Sequence, residues 1–454
     1  MHNYKNKIIG ILGLGLSGKS AIQFFKNYSK NIIAWDDQEI VRNSILDENV
    51  DLLDLKLLNN IKLIDLLFIS PGIMPSHPVI KLAKINKVKI TGDLDVFWQE
   101  QSNNKNKFIV ITGSNGKSTV TSLIHHLLVS SNKPSNIGGN IGIPVLNLIS
   151  DKIANYYVIE ASSFQLALVK NIKPNISILT NLTPDHIDWH GSYKKYINSK
   201  ENLFLNQNSD DLAIININND ECFKIYKKIN NRKNKPKIIK ISINNKLDNT
   251  IYIDKEKVYD NLNNKNIFIG DIKDLTSLIG LHNIENILIS IAVAIYLGVS
   301  HKNIKKYLPT FKGLSHRLEL IYKNSKITFI NDSKSTNIVA CKVALNCFEN
   351  IIWIAGGRRK GDELEYLKSN IKAIKAGYFI GESADEFVNY FKNCFLSKNS
   401  SNIKDALNDA VEYAKTLNSN TTILFSPACS SFDQFKNYEE RGNKFIEEVN
   451  EYIK

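Results

Sequence analysis

The 454-residue chain is poor in several things at once, with five cysteines, ten prolines, two methionines and four tryptophans. The cysteines, at 222, 341, 347, 394 and 429, have neither paired nor metal-ligand spacing. That excludes a disulfide-built scaffold and fits a reduced compartment. No apolar run approaches the roughly 18 residues that span a bilayer; the longest, 287–297, reads as a buried helix. The first twenty residues are punctured by Gly10, Gly13, Gly15 and Gly18 and carry no small-residue cleavage site, so no targeting segment is expected. Acidic side chains fall short of basic ones, 45 against 58, for a formal charge of +13. The lysines are scattered among Asn and Ile without a polybasic block, which argues against nucleic acid and membrane surfaces and leaves small phosphorylated molecules. A cytoplasmic monomer is expected.

What the chain does have is alternation. Short Ile/Val-rich runs alternate with helical patterns throughout, the signature of α/β units with parallel sheets. Strands are expected at 7–12, 31–35, 66–70, 108–111, 156–159, 176–179, 212–216, 327–330, 351–355 and 422–426, with a polar linker at 101–107. The Asn/Lys-rich stretch 229–266 reads as an edge insertion or small β-subdomain. Three units in series result, bounded at 1–106, 107–312 and 313–454.

Gly13-x-Gly15-x-x-Gly18 follows a strand and opens a helix, with Asp36 and Asp37 about twenty residues on. Glycines there let backbone approach a diphosphate at a helix N-terminus. Alone, the motif suggests a dinucleotide-dependent oxidoreductase, although the same geometry serves any nucleoside diphosphate. Thr112-Gly113-Ser114-Asn115-Gly116-Lys117-Ser118-Thr119 lies between a second strand and helix. Its amides would cradle phosphates, Lys117 neutralise them, and Ser118 or Thr119 reach a Mg²⁺. Only two residues separate its glycines, where the general phosphate loop has four. Glu160 and Asp185-His186 follow strands, where α/β folds place metal ligands and chemistry. His316-Arg317, Asn331 to Asn337, Gly356 to Lys360 and Ser426 to Tyr438 are further strand-end segments of the third unit. Cys429 has no histidine partner in its segment and is not read as a nucleophile.

Together these segments, in order, resemble the Mur ligase family of peptidoglycan synthesis. Glu160-Ala-Ser-Ser-Phe-Gln165 and Ser426-Pro-Ala-Cys-Ser-Ser-Phe-Asp-Gln-Phe-Lys-Asn-Tyr438 resemble its D-glutamate-adding branch in particular. The resemblance implies three domains: a Rossmann-like N-terminal domain for a UDP-linked substrate, a central phosphate-loop ATPase domain and a Rossmann-like C-terminal domain. It implies ATP, two Mg²⁺ ions, D-glutamate and UDP-N-acetylmuramoyl-L-alanine, joined through an acyl phosphate. Carried over residue by residue, Lys117, Glu160, His186 and Lys200 are catalytic. Ser118, Glu160, His186 and a carbamylated Lys200 hold the metals. Residues 113–119, Asn286, Arg317 and Asp332 contact ATP. Gly13, Leu16, Ser17, Asp36, Ser70, Gly72, Asn140 and His186 contact the UDP substrate. Thr336, Lys360, Ser431 and Tyr438 hold D-glutamate. The chain departs from the family pattern at Asp37-Gln38, where relatives often carry Thr-Arg, at Tyr438, where relatives can carry Phe, and at Arg358-Arg359, which would make the amino-acid pocket more basic. The competing readings are a sibling ligase for another amino acid, a folylpolyglutamate synthetase, an oxidoreductase and a nucleotide-binding switch.

Overall fold

The fold comes from a computed structural model, which describes residues 4–45, 49–101, 105–150, 155–243, 246–275, 278, 280–359, 361 and 364–453. Short runs such as IIGIL and FIVIT, apolar on both faces, form central strands whose side chains are buried above and below the sheet. Three sheets result. In the first, β1 (Ile8–Leu12), β2 (Asn31–Trp35), β3 (Val50–Leu52), β4 (Leu66–Ile69) and β5 (Lys89–Thr91) lie in the order β3-β2-β1-β4-β5, all parallel. Strand order reverses between β1 and β4, and Gly13 lies just past the C-terminal end of β1.

The second sheet contains β6 (Lys107–Thr112), β7 (Ser135–Gly139), β8 (Tyr156–Glu160), β9 (Ile176–Leu179), β10 (Leu212–Asn216), β11 (Lys237–Ser242), β12 (Thr250–Asp254), β13 (Lys257–Asp260) and β14 (Ile267–Asp271). Its order is β14-β13-β12-β11-β10-β9-β6-β8-β7. Strand β6 lies between β8 and β9, pairing Ile111 with Glu160 and Thr112 with Leu179. That register decides the site, because it brings three functional strand ends side by side. The stretch 229–266 is not a separate subdomain. Its first residues finish the helix Asp220–Asn230, and its strands extend this same sheet, with β12, β13 and β14 turning antiparallel at the edge. The expected helix around 287–297 is Leu281–Tyr296, with Ile287, Leu288, Ile289 and Ile291 fully buried.

The third sheet holds β15 (Glu319–Lys323), β16 (Ile327–Asn331), β17 (Ile351–Gly356), β18 (Ile374–Ile380), β19 (Leu396–Ser401) and β20 (Thr421–Phe425), ordered β15-β16-β20-β17-β18-β19. Only the edge strand β15 runs antiparallel.

The chain forms two compact units, Met1–Thr276 with Ile284–Phe311, and Ser277–Asn283 with Lys312–Lys454. The first unit holds both leading sheets, and a shared core runs from Phe25 and Phe68 through Phe97 to Phe108 and Tyr157. The helix Asp93–Gln101 therefore packs as core just before the linker expected at 101–107. Polar ties reinforce it. The Ser20 hydroxyl meets Asn147 Oδ1 at 2.6 Å, and Gln165 Nε2 donates to the buried Asp93 carboxylate at 2.9 Å.

Candidate active site

The phosphate loop is shaped by two glycines. Gly113 (φ +149°) and Gly116 (φ +80°) adopt backbone that side chains resist. A Cβ on Gly113 would lie 1.9 Å from Thr180 Oγ1, and one on Gly116 would lie 2.2 Å from Asn286 Oδ1. The first bond inside the helix Lys117–Ser130 is Val120 N to Gly116 O, so the amides of its first turn point out of its N-terminal end. A helix start of this kind attracts anions. Lys117 Nζ is held over the loop by Gly113 O and Ser114 O, at 2.9 and 2.7 Å.

The loop is docked onto the residues that follow β9. Asn181 accepts from Ser114 N through its backbone carbonyl and from Asn115 N through its side chain, both at 2.8 Å, and returns Nδ2 to Asn115 O at 3.2 Å. Ser114 Oγ donates to Thr183 O at 3.0 Å and accepts from Thr183 N at 2.9 Å. Its one proton is thereby used, so Tyr196 OH, 2.7 Å away, donates to it. Tyr196 precedes Lys200 by one helical turn on the helix Tyr193–Glu201. Asn181→Ala deletes two side-chain bonds to the loop, each worth about 1 kcal/mol. The expected result is a fall in kcat/KM for ATP of roughly ten-fold or more with the melting temperature little changed, read by steady-state kinetics and calorimetry.

Glu160 ends β8 and is 2 % exposed. Asn140 Nδ2 donates to its Oε1 at 2.8 Å, while Oε2 is buried without a hydrogen-bond partner. An orphaned carboxylate oxygen beside a phosphate loop is chemically suited to a hard cation. Lys200 is 1 % exposed, with Nζ 2.8 Å from Gly113 O and 4.8 Å from the Tyr196 ring centroid. Burial, and then the charge of Lys117, push its ammonium well below the usual lysine range. His186 adopts left-handed backbone (φ +51°) and packs its ring 4.6 Å from that of Phe164. Its Nε2 lies 3.4 Å from Asp185 Oδ2. Neighbouring His190 is buried against Ser163 Oγ, and burial, with Lys200 and His186 adding to it, pushes its imidazole down to about 4. Among the described residues no three His, Cys, Asp or Glu side chains gather as a ready-made metal site. An ion here would draw on Glu160, His186, a hydroxyl and phosphate oxygens.

In the first sheet, Gly13 (φ +87°) presses against Ser70, whose hydroxyl donates to Gly13 O at 2.7 Å. A Cβ on Gly18 would lie 2.0 Å from Gly13 O, so this glycine permits the close strand–helix approach. Asp36 Oδ2 accepts from Leu14 N at 2.8 Å, the Leu16 side chain is 77 % exposed, and Gly72 is exposed. The half-buried Ser17 hydroxyl donates to Asp93 Oδ2 at 3.3 Å. The departure at Asp37-Gln38 has a local account. The Asp37 carboxylate is engaged by Lys56, His77 and Trp35 at 3.0–3.1 Å, and those bonds hold it down at about 2. Arg42 lies over the Trp35 ring.

In the second compact unit, register aligns Asn331 with Phe425 and Phe425 with Ile354, placing Asp332, Ser426 and Gly356-Gly357 at one sheet edge. Asp332 accepts from Ser426 Oγ at 2.8 Å and Leu318 N at 3.2 Å, and burial pushes its carboxyl up to about 7. Arg317 is exposed. Ser333 Oγ donates to Tyr438 O at 2.8 Å, and Lys334 Nζ lies 3.7 Å from the Tyr438 ring centroid. Thr336 is half-buried in the same loop, and Ser431 is 2 % exposed. Arg358 and Ser430 exchange both backbone bonds, at 3.0 and 2.9 Å, beside Ser431. Lys360 lies outside the described residues. Arg358 and Arg359 do not bring the free basicity expected of them, because they pair with Glu382 and Glu386. Cys429 is fully buried and its thiol is pushed up to about 11 by burial, in keeping with its structural reading.

The comparisons agree with this geometry. The family model described as "Mur ligase middle domain" matches residues 111–294, and "Mur ligase MurD-like, N-terminal domain" matches residues 7–92. The chain is 37 % identical to the UDP-N-acetylmuramoylalanine--D-glutamate ligase of Rickettsia prowazekii, over 98 % of each chain. It is 36 % identical to the protein of the same name in Wolbachia pipientis wMel, over 98 % of this chain and 96 % of that one. The corresponding figures for Caulobacter vibrioides are 34 %, 99 % and 97 %. Among solved structures, the UDP-N-acetylmuramate-alanine ligase of Thermotoga maritima shares the fold, with a TM-score of 0.60 at 17 % identity over 98 % of this chain and 100 % of that one. Near full-length identity of this order, on a phosphate loop joined edge to edge with Glu160 and Asn181, means that the chain belongs to the Mur ligase family and groups there with the D-glutamate ligases.

Proposed function

We infer that this chain is an ATP-dependent amide-forming ligase that adds D-glutamate to UDP-N-acetylmuramoyl-L-alanine in peptidoglycan precursor synthesis. The observation that carries the reading is one sheet edge holding the phosphate loop, the orphaned Glu160 oxygen and the buried Lys200 amine. A carboxylate is a poor electrophile, so its oxygen must first become part of a leaving group. In the proposed sequence the alanyl carboxylate oxygen attacks the γ-phosphorus and ADP leaves. The D-glutamate amine then attacks the acyl-phosphate carbon, loses a proton, and phosphate departs. Lys117 and the first-turn amides hold the phosphates in line. Asn115, Ser118 and Thr119 complete the ATP cradle, with Asn286 behind it.

Ser118, Glu160 and His186 are the proposed Mg²⁺ contacts; bound there, the ions would screen two anions from each other and polarise the transferred phosphoryl group. Burial disfavours the Lys200 ammonium, which suits its amine form to add CO₂. The neutral amine nitrogen bonds the CO₂ carbon and releases one proton, so an uncharged group becomes an anionic carbamate. Gly13, Leu16, Asp36, Ser70, Gly72 and Asn140 are proposed for the UDP substrate. Thr336, Ser431 and Tyr438 are proposed for D-glutamate, and Arg317 and Asp332 for the ATP phosphates and ribose. Residues 1–106, 107–312 and 313–454 are the proposed domains.

Asp332 carries a pH prediction. If its ionised form binds the ribose, a carboxyl titrating at about 7 makes KM for ATP fall about ten-fold between pH 6 and 8. Folding stability changes in the opposite sense. The folded carboxyl keeps its proton longer than the unfolded one, so its contribution falls from about pH 4 to about pH 7 and then levels. Asp332→Asn flattens both profiles.

The test of the whole reading is phosphate release from ATP with UDP-N-acetylmuramoyl-L-alanine, offering D-glutamate, L-glutamate, L-lysine and D-alanyl-D-alanine in turn. Release with D-glutamate alone is expected. Release with another amino acid would keep the chemistry and overturn the assignment of Ser431 and Tyr438.

A further inference from the structure

A cavity of about 630 Å³ opens in the first compact unit, and its lining includes none of the substrate, ATP or metal residues assigned above. Its size falls within the roughly 300–1,000 Å³ of small-molecule sites. One wall comes from the loop after β4 and the helix Pro78–Ile85, with Ile73 and Ile80, and the other from the helices Ser163–Leu168 and Ile187–His190, with Leu168 and Trp189. Trp189 Nε1 donates to Ile73 O at 3.0 Å and joins the two walls. The apolar body has a charged rim: Lys84 and Lys195 both line it, and neither ammonium has an acid partner among the described residues. Asp188 is the single carboxylate there, so the rim carries a net positive charge.

We propose that this cavity is a ligand site separate from the substrate sites, and that it takes an amphipathic organic anion. A ring or short alkyl body would lie on Ile73, Ile80, Leu168 and Trp189, and a carboxylate, sulfonate or phosphate would face Lys84 and Lys195. The walls suggest what occupancy does. Ile73 directly follows Gly72, while Lys195 lies on the helix Tyr193–Glu201 that carries Lys200. A bound anion holds these two segments in one arrangement and so changes turnover. That consequence rests on the proposed function; the binding does not.

The test uses the full-length enzyme and 1-anilinonaphthalene-8-sulfonate, an aromatic monoanion that accepts excitation from tryptophan. One saturable site with energy transfer from Trp189 is expected, with the transfer reduced in Trp189→Phe. The pair Lys84→Glu and Lys195→Glu should weaken binding about ten-fold while phosphate release without the probe stays at the wild-type rate. Leu168→Trp, which fills the cavity, should also abolish binding, and saturating UDP-N-acetylmuramoyl-L-alanine should leave binding intact. Absence of a saturable site, indifference to both lysine reversals, or displacement by the UDP substrate each overturns the proposal. Binding with unchanged kcat and KM overturns its regulatory part. Binding by an enzyme that releases no phosphate with any amino acid would sink the ligase reading and leave the site standing.

Discussion

Lys117→Ala is expected to lower D-glutamate-dependent phosphate release by on the order of 10³-fold, with the circular dichroism spectrum unchanged. The size follows from what the ammonium does. It is held at the loop by Gly113 O and Ser114 O. Losing one preorganised charge partner of a transferring group typically costs about 10²–10³-fold in rate. Lys117→Arg should recover little of this, because the planar guanidinium cannot occupy the point between two loop carbonyls that a compact ammonium fills. A Lys117→Ala enzyme with near wild-type kcat would mean that the loop's role in phosphate transfer has been misread. A selective rise in KM for ATP, with kcat kept, would mean that Lys117 binds ground state and transition state alike.

Lys200 should separate activity from stability. Its ammonium is disfavoured by burial, so the unfolded chain binds that proton more readily than the folded one. Stability contributed by this position therefore rises with pH as the solution climbs from the depressed pKa towards the ordinary lysine value, and at pH 7 the unmodified lysine is a burden. Lys200→Met, similar in length and apolar, is expected to melt no lower than the unmodified enzyme at pH 7 while losing activity by on the order of 10³-fold. The carbamate reading adds a second readout. Wild-type phosphate release should fall when dissolved CO₂ and bicarbonate are stripped and return when bicarbonate is restored; Lys200→Met and Lys200→Arg should ignore bicarbonate. Wild-type activity indifferent to bicarbonate at every pH would remove the carbamate and leave Lys200 as a support for Gly113.

These expectations draw unequally on sequence and on structure. Strand limits such as Asn31–Trp35, Ile176–Leu179 and Leu212–Asn216 were readable to the residue, because each is a compact β-branched run closed by polar or turn residues. The edge strands β3, β5 and β19 were not, being short, or polar and half exposed, and stabilised mainly by the neighbour they pair with. The phosphate loop, Glu160 and His186 were legible for a related reason. Their chemistry is local, a glycine pattern or an acid at the end of an apolar run.

Asn181, Tyr196, Asp93 and the free edge of Glu160 became visible only in three dimensions. The bonds of Asn181 to Asn115 and of Tyr196 to Ser114 cross 66 and 82 residues of chain. No local pattern encodes such a pairing; it is set by which strand lies beside which. Composition, motif order and family were thus determined by the sequence itself. The tertiary structure decided that β6 lies between β8 and β9, and with it which carboxylate is left a partner short and which lysine is buried; in the second compact unit it decided that Arg358 and Arg359 pair with glutamates. Desolvation and strand register are properties of neighbours, and neighbours distant along the chain are assigned only by folding.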